Sequence, residues 1–264
     1  MNLKRFGAVL AAAALCLSAL AGCAQSKNDL LASIQEKGEI TVAMEGTWAP
    51  WGYHDESNAL VGYDVEVAQA IAEKLGVTVN FVEGTWDACL AGLEGGRYDI
   101  MVNGVDIDDN RREKYDFSTP YAYNRTVVIT RADDDSIQAM EDLNGKTTAN
   151  TLQSTYEAVG VKYGATVTPV DDFIQTIELL TSGRIDATLN AEVSYYDYMA
   201  QHPDAPVKIA CIDPESTQVA IPMRKGEETA ALREAIDKAL SELSEDGTLT
   251  ELSIKYFGTD LSKP

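Results

Sequence analysis

The sequence predicts an α/β protein with two lobes. Short apolar segments alternate with segments of helical periodicity along most of the chain, as strands and helices do in α/β proteins. The alternation forms two successive series, and strand-like segments at residues 126–130 and 218–223 connect one series to the other. A chain that crosses twice in this way forms a cleft between two lobes, and the loops after the strands converge in that cleft.

The first series extends from residue 39 to residue 130. Strands are predicted at residues 39–44, 78–83, 98–102 and 126–130. The segment 98–102 is apolar almost throughout, which is typical of a strand buried on both faces. Residues 64–75 carry apolar side chains along one helical stripe that stops at Gly76, and a second helix is predicted over residues 86–93.

The second series begins at residue 146. Strands are predicted at residues 146–151, 165–170, 186–190 and 217–223, and helices near Ser154, near Asp172 and over residues 191–201. Two helices, residues 228–245 and 248–256, end the chain. We therefore predict one lobe formed by residues 37–126 together with 222–264, and a second lobe formed by residues 127–221.

The first residues have the pattern of an export signal. Lys4 and Arg5 precede an apolar run over residues 6–20, which is shorter than the roughly 20 residues of a membrane-spanning helix. The run ends in Leu-Ala-Gly-Cys, which resembles a bacterial lipobox; an uncleaved anchor helix is the alternative. We predict a lipoprotein signal over residues 1–23, a lipid on Cys23 and a tether over residues 24–36, of which residues 24–29 are flexible. The folded body is then anchored to the outer face of the cell membrane.

Charge excludes several classes of partner. The chain has 42 acidic and 21 basic residues, and such a surface repels nucleic acid and anionic lipid head groups. Membrane contact is therefore expected through the lipid anchor only. The 45% of hydrophobic residues is that of an ordinary globular protein. Cys89 and Cys211 fall in different lobes, and we predict that both are buried free thiols.

Metal binding and catalysis receive little support from the sequence. Residues 106–110 faintly resemble a calcium loop, but Arg111 and Phe117 stand where such a loop requires glycine and glutamate. His54 and His202 lack neighbours at the spacing of zinc ligands. The chain also lacks a serine nucleophile motif and a glycine-rich phosphate loop. We predict no metal, no cofactor and no catalytic residue.

One acidic pair leaves an enzymatic alternative open. Asp106 and Asp108 have the spacing at which two carboxylates can share acid and base catalysis. Solvated loop acids are the commoner explanation in a chain this acidic, so catalysis remains the minor interpretation.

Two features point to a binding cleft. Trp48 and Trp86 each follow the end of a predicted strand, where a rigid aromatic face provides a large contact area, although packing in the core is the alternative. Ser154 and Glu157 have the spacing of a capping box, so a helix begins there. The positive end of a helix dipole at a cleft is a site for a carboxylate.

Four segments resemble the marker segments of the polar amino-acid-binding proteins of bacterial ABC importers. They are GYDVEVAQAIAEKL at residues 62–75, NRREKYDFSTPY at 110–121, SGRIDATLN at 182–190 and DGTLTELSIKYFG at 246–258. The resemblance covers nearly the whole mature chain. It implies a periplasmic-binding-protein type II fold, a monomer that closes on one amino acid by a hinge motion and delivers it to a permease.

The resemblance also implies roles for individual residues of the first lobe. Arg111 matches the arginine that clamps the ligand α-carboxylate, a role for which the planar guanidinium is suited. Trp48 and Trp86 match the two aromatic residues that sandwich the ligand side chain. Glu45 matches an acidic or polar position at the end of the first strand.

Backbone contacts are implied on both sides of the cleft. Asn103 and Gly104 match a segment of the first lobe whose backbone contacts the ligand. Thr155 and Tyr156 match the helix start whose N–H groups complete the carboxylate site from the second lobe, and Ser154, which caps that helix, is predicted to join them at the ligand. A ligand held in this way bridges the lobes and favours closure.

Two positions depart from the family pattern. The acid that binds the ligand ammonium group is replaced by Ala191, which lies between Asn190 and Glu192. Asp106 stands at a position usually held by serine or threonine. We hypothesise that Asp106 has become the ammonium partner; alternatively it points to solvent, and carbonyl groups with Glu45 hold the ammonium group.

The ligand follows from the finer resemblance. The segments KYDFSTPY and NTLQSTYEAV are most similar to the cystine-binding branch of the family. Cystine is therefore the first prediction, and a basic or other polar amino acid is the second. A dehydratase on the same fold, with Asp106 and either Glu45 or Glu192 as acid and base, is the enzymatic alternative.

Overall fold

The computed structural model describes residues 29–264, and it has the predicted α/β class with two lobes. The predicted signal peptide, the lipid site at Cys23 and residues 24–28 of the predicted tether lie outside the described residues. Within residues 29–264, no helix has both the length and the apolar character that crossing a membrane requires.

Nine α-helices are present in the described part of the chain: α1 (Leu30–Lys37), α2 (Tyr63–Leu75), α3 (Trp86–Glu94), α4 (Asp109–Lys114), α5 (Thr155–Lys162), α6 (Phe173–Thr181), α7 (Glu192–Gln201), α8 (Ala230–Glu245) and α9 (Thr248–Phe257). The strands are β1 (Glu39–Met44), β2 (Thr47–Trp48), β3 (Gly52–His54), β4 (Leu60–Val61), β5 (Thr78–Glu83), β6 (Ile100–Met101), β7 (Tyr115–Phe117), β8 (Ala122–Arg131), β9 (Thr147–Asn150), β10 (Thr166–Pro169), β11 (Thr188–Ala191), β12 (Val207–Val219) and β13 (Pro222–Arg224).

Lobe 1 is built on a parallel sheet of order β5-β1-β6. Its helix α2 buries the predicted apolar stripe, including Ile71, and ends at Gly76 in the left-handed conformation that glycine adopts most easily. The last strand, β13, returns from lobe 2 and pairs with β7 antiparallel. Because β1 and β6 are parallel, their carboxyl ends lie at the same edge of the sheet. The loops that follow Met44 and Met101 leave from that edge towards the cleft.

Lobe 2 contains the parallel pair β10-β9 and the antiparallel sheet β11-β8-β12. The helices α5 and α6 start at Ser154 and Asp172, whose side chains accept hydrogen bonds from Glu157 N and Gln175 N. Both helix starts follow strands β9 and β10, so they also face the cleft.

Two long antiparallel strands connect the lobes. β8 pairs with β12 from Ala122 opposite Val219 to Arg131 opposite Val207, with irregularities near Cys211 and Ser216. The predicted crossings fall on this pair, but the predicted single strand at 217–223 is divided, because β12 ends at Val219 and β13 begins at Pro222. The pair of strands that connects the lobes is consequently longer than the sequence predicts.

Helix α1 corrects the predicted tether. Asp29 caps it by accepting a hydrogen bond from Ala32 N, and Gly38 ends it in the left-handed conformation. Ile34 is 2% exposed and packs in the main core. The assignment of residues 30–36 to the tether is therefore wrong, because they fold as part of lobe 1.

Smaller differences concern one strand and one thiol. The predicted strand at 98–102 is reduced to Ile100–Met101, although Tyr98 and Val102 on either side are buried. Cys89 and Cys211 are both free thiols, as predicted, but only Cys89 is buried.

The packing of α1 gives a first prediction. Ile34→Ala leaves a cavity in the core and is expected to lower the free energy of unfolding by about 2–4 kcal/mol. The neighbouring exposed residue supplies the control, and Gln35→Ala should change it by less than about 0.5 kcal/mol. Urea denaturation followed by circular dichroism measures both; equal values would indicate that α1 does not pack on lobe 1.

Candidate ligand-binding site

A cavity lies between the two lobes where the loops after the strands converge. It is lined by Glu45, Thr47, Trp48, Trp86, Gly104, Asp106, Arg111, Thr151, Ser154, Thr155, Tyr156, Asp172, Phe173 and Asn190. All the binding residues expected from the sequence line this cavity except Asn103 and Glu192. We call it the interlobe cavity.

Arg111 lies on the floor of the interlobe cavity and is 7% exposed. It belongs to α4, a short helix capped by Asp108, whose carboxylate accepts from Arg111 N at 2.8 Å. Its Nη1 donates to the carbonyl oxygen of Asp106 at 2.8 Å and to Thr155 Oγ1 at 3.0 Å, and its Nη2 donates to the carbonyl oxygen of Gln153 at 2.8 Å. Arg111 therefore joins lobe 1 directly to lobe 2.

The guanidinium group also rests on an aromatic face. Its central carbon lies 5.2 Å from the ring centroid of Trp86, within the range of a cation–π contact. The negative face of the ring attracts the positive charge of Arg111 and helps to hold it beside the cavity.

Asp106 is the second charged group of the cavity, and it is 4% exposed. Its Oδ1 has no hydrogen-bond partner among the described residues. Burial raises the pKa of Asp106, and hydrogen bonds with Thr217 and Thr155 and the charge of Arg111 oppose that rise. The alternative in which Asp106 points to solvent is therefore wrong, and its free oxygen is available to a cationic group in the cavity.

Glu45 follows β1 and depends on Asn103. Asn103 Nδ2 donates to Glu45 Oε2 at 2.7 Å, and Asn103 Oδ1 accepts from Glu45 N at 2.8 Å. The Asn103 side chain thus fixes Glu45 from behind its carboxylate, and the expected contact of the Asn103 backbone with the ligand stays a prediction. Burial raises the pKa of Glu45 to about 7; the hydrogen bond from Asn103 opposes this rise, and the charges of Asp172 and Asp87 add to it.

Trp48 forms the aromatic wall and a second link between the lobes. Its ring stacks on Trp51 with centroids 5.4 Å apart, and its Nε1 donates to Asn190 Oδ1 of lobe 2 at 3.1 Å. Tyr156 of lobe 2 contacts the same ring edge-on, with centroids 6.2 Å apart. Trp48 therefore packs against both lobes at once.

Gly104 lies directly under Trp48. Its φ is +55°, and a Cβ atom there would approach Trp48 Cζ3 to 2.6 Å, so only glycine fits without movement of the ring. The loop is held by Gly104 N, which donates to Asp64 Oδ2 at 2.6 Å. Asp64 is 0% exposed and also accepts from Tyr121 Oη at 2.7 Å, and burial raises its pKa to about 7.

Lobe 2 contributes the start of α5. Ser154 Oγ accepts from Glu157 N at 3.1 Å, which confirms the predicted cap. The Glu157 carboxylate accepts from Gln153 N, one residue before the position that a capping box requires. The backbone N–H groups at the start of α5 lie beside Arg111 and add positive potential to that end of the cavity.

Glu192 does not line the interlobe cavity. Its Oε2 accepts from Arg125 Nε at 2.8 Å and lies 2.6 Å from Arg125 Nη2, so its carboxylate forms an ion pair with a residue of strand β8. A contact of Glu192 with the ligand therefore stays a prediction, and in this structure its carboxylate pairs with Arg125 instead of lining the interlobe cavity. Ala191 is buried and offers no charge.

Sequence reasoning missed four lining residues. They are Thr47, Thr151, Asp172 and Phe173. The sequence predicts a helix start near Asp172. Because helix starts that follow strands face the cleft, this position could have identified Asp172 as a residue that lines the cavity. With Glu45 and Asp106 it gives the cavity three carboxyl groups beside Arg111. Within residues 29–264, no group of three or more histidine, cysteine, aspartate or glutamate residues is arranged to hold a metal ion.

Comparison with known families identifies this architecture. The model of the bacterial extracellular solute-binding proteins, family 3, matches residues 40–259. The chain belongs to this family. The L-cystine-binding protein TcyA of Bacillus subtilis is 40% identical over 258 residues, which cover 94% of this chain and 95% of that protein. The resemblance to binding proteins of amino-acid importers and the solute-binding role are thereby confirmed.

Two solved structures resemble the chain in different ways. An ancestral arginine-binding protein bound to arginine matches with a TM-score of 0.78 at 36% identity, covering 84% of this chain and 99% of that one. The L-cystine solute receptor of Neisseria gonorrhoeae, in its unliganded open conformation, matches with a TM-score of 0.59 at 38% identity, covering 89% and 100%. The similarity in three dimensions is therefore greater to the ligand-bound arginine-binding protein, although the sequence identities are nearly equal.

The pKa of Glu45 generates a prediction about stability. Folding raises the pKa of the Glu45 carboxyl group from 4.5 to about 7. The folded protein therefore holds this proton more tightly than the unfolded chain does, and the group contributes more stability below pH 4.5 than at high pH. That contribution, at most about 3 kcal/mol, is lost as the pH rises through 7.

The measurement compares melting temperatures of the wild type and Glu45→Gln from pH 4 to pH 9. Because Asp64 titrates in the same range in both proteins, the difference between the two curves isolates Glu45. The wild type should lose stability relative to the variant between pH 4.5 and about pH 7. Parallel curves would contradict the assignment.

Proposed function

We propose that the chain binds one free amino acid, with cystine as its ligand, in the interlobe cavity and delivers it to the permease of an ABC importer. In this proposal the protein acts as a monomer without catalysis, and a lipid on Cys23 anchors it to the outer face of the cell membrane. The identity with a cystine-binding protein over nearly the full length of both chains supports the choice of ligand.

The observation that carries the proposal is the pairing of Arg111 with Asp106. A buried guanidinium group and a buried carboxylate with a free oxygen lie together in one cavity. The α-carboxylate and α-ammonium groups of an amino acid carry the complementary charges on the same α-carbon. The cavity therefore matches the part that all free amino acids have in common.

Arg111 also suggests how binding favours closure. Its Nη1 and Nη2 donate to Thr155 and Gln153 of lobe 2. A ligand carboxylate that accepts from the same guanidinium and from the N–H groups at the start of α5 replaces these direct contacts with stronger, charge-assisted ones. The ligand then holds both lobes and shifts the hinge equilibrium towards the closed form.

A basic amino acid is the second candidate ligand. Glu45 and Asp172 lie in the same cavity as the aromatic faces of Trp48 and Trp86. A side-chain cation placed between these rings would meet the carboxylate of Glu45, and the pairing would lower the raised pKa of Glu45. This arrangement supports arginine or lysine if cystine does not bind.

A dehydratase-type enzyme is the competing function. Glu45 with its pKa of about 7 lies in the range useful for a general base, and Asp106 shares its cavity. Incubation with prephenate or arogenate tests it directly. Product formation that Glu45→Gln abolishes would replace the binding function with an enzymatic one, whereas the present proposal expects no turnover.

Calorimetric titration with cystine tests the two charged groups. Arg111→Lys and Asp106→Asn are each expected to weaken cystine binding by roughly 30-fold or more, because each removes a charge-assisted contact from a buried site. Glu192→Gln makes the same chemical change as Asp106→Asn outside the cavity and should leave the affinity unchanged. Equal small effects of Asp106→Asn and Glu192→Gln would contradict the role of Asp106.

A thermal-shift panel tests the identity of the ligand. The protein is heated with each standard amino acid and with cystine, and the ligand that binds most tightly raises the melting temperature most at a fixed concentration. Cystine is expected to give the largest shift. A larger shift with arginine or lysine would establish the second candidate instead.

A further inference from the structure

A second cavity lies between β2 of lobe 1 and α7 of lobe 2. Thr47, Trp48 and Phe173 line both this second cavity and the interlobe cavity. The two cavities are therefore neighbours with a shared wall. Because both lobes line the second cavity, its width depends on the angle between them.

Ser194 gives the second cavity an unsatisfied polar group. It lies in the first turn of α7, it lines the second cavity and it is 1% exposed. Its hydroxyl has no hydrogen-bond partner among the described residues. Buried hydroxyl groups usually have a partner, since an unpaired one costs free energy, so the Ser194 hydroxyl is available to a polar group in the second cavity.

Asp197 and His202 supply the charge and the donor. Asp197 lies three residues after Ser194, a spacing that brings both side chains to one face of α7. Its Oδ2 accepts from Gln201 Nε2 at 2.6 Å, and burial raises its pKa. A carboxylate beside a hydroxyl binds an ammonium group, and an imidazole N–H of His202 can donate to a carboxylate. The residues that line the second cavity include no lysine or arginine.

We propose that the second cavity is a subsite for the distal head group of a two-headed amino acid. Asp197 and Ser194 bind its ammonium group, and His202 binds its carboxylate. The inference rests on the proposed function, because the first head group must lie at Arg111 and Asp106 while the ligand crosses the shared wall. It identifies the ligand class as diamino dicarboxylic acids such as cystine, in contrast to single-headed amino acids.

Calorimetric titration with two probes tests the subsite. Cystine has two head groups, and S-methylcysteine reproduces only one half of it. Asp197→Asn is expected to weaken cystine binding about tenfold and to leave S-methylcysteine binding unchanged. Glu178→Gln, the same change at an exposed position of α6 that lines neither cavity, should alter neither affinity.

Ser194→Ala provides a second, independent readout. Removal of a buried hydroxyl without a partner should raise the melting temperature of the free protein, and the same change should weaken cystine binding about threefold. A purely structural role for Ser194 predicts that stability and cystine affinity fall together. Opposite changes in the two quantities therefore support the subsite.

The outcomes separate this inference from the proposed function. Wild-type protein that binds cystine no more tightly than S-methylcysteine, or Asp197→Asn that weakens both probes equally, overturns the subsite and leaves amino-acid binding intact. Wild-type protein that binds no amino acid overturns the proposed function and the subsite with it.

Discussion

A buried guanidinium group between two lobes is the constraint on which the rest of this site depends. A buried guanidinium group must be supplied with hydrogen-bond acceptors, because an unpaired buried charge costs much free energy. Asp106 supplies one from lobe 1, and Gln153 and Thr155 supply two from lobe 2. The side chain best suited to bind a carboxylate therefore also holds the lobes together. Any anion that takes over its donors must change the balance between open and closed forms.

The surrounding residues of lobe 1 position the site. Buried Asp64 fixes the loop at Gly104 and accepts a hydrogen bond from the hydroxyl of Tyr121, the residue just before strand β8. Gly104 in turn leaves room for the ring of Trp48, which reaches Asn190 across the cleft. Loop, aromatic wall and hinge are thus connected by hydrogen bonds and packing within one lobe. Three carboxyl groups against one arginine give the cavity an excess of negative potential, which favours ligands with two cationic groups.

Local sequence signals predicted what depends on local structure. The apolar stripe of α2 with its terminal Gly76, and the cap at Ser154, follow from side-chain spacing alone. The resemblance to a family identified Arg111, Trp48 and Trp86. The direction of Glu192 could not be predicted, because it depends on Arg125 in a strand far away along the chain. The role of Asn103 behind Glu45 and the packing of Ile34 likewise depend on tertiary contacts that periodicity does not contain.

The most direct test is a crystal structure of the protein with cystine. We expect one α-carboxylate to lie on the Arg111 guanidinium and the ammonium nitrogen of the same head group to lie within about 3 Å of Asp106 Oδ1. The contacts from Arg111 to Gln153 and Thr155 should lengthen or break as the carboxylate replaces them. A complex in which Glu45 or backbone carbonyl groups hold the ammonium group while Asp106 Oδ1 remains unpaired would contradict the role of Asp106.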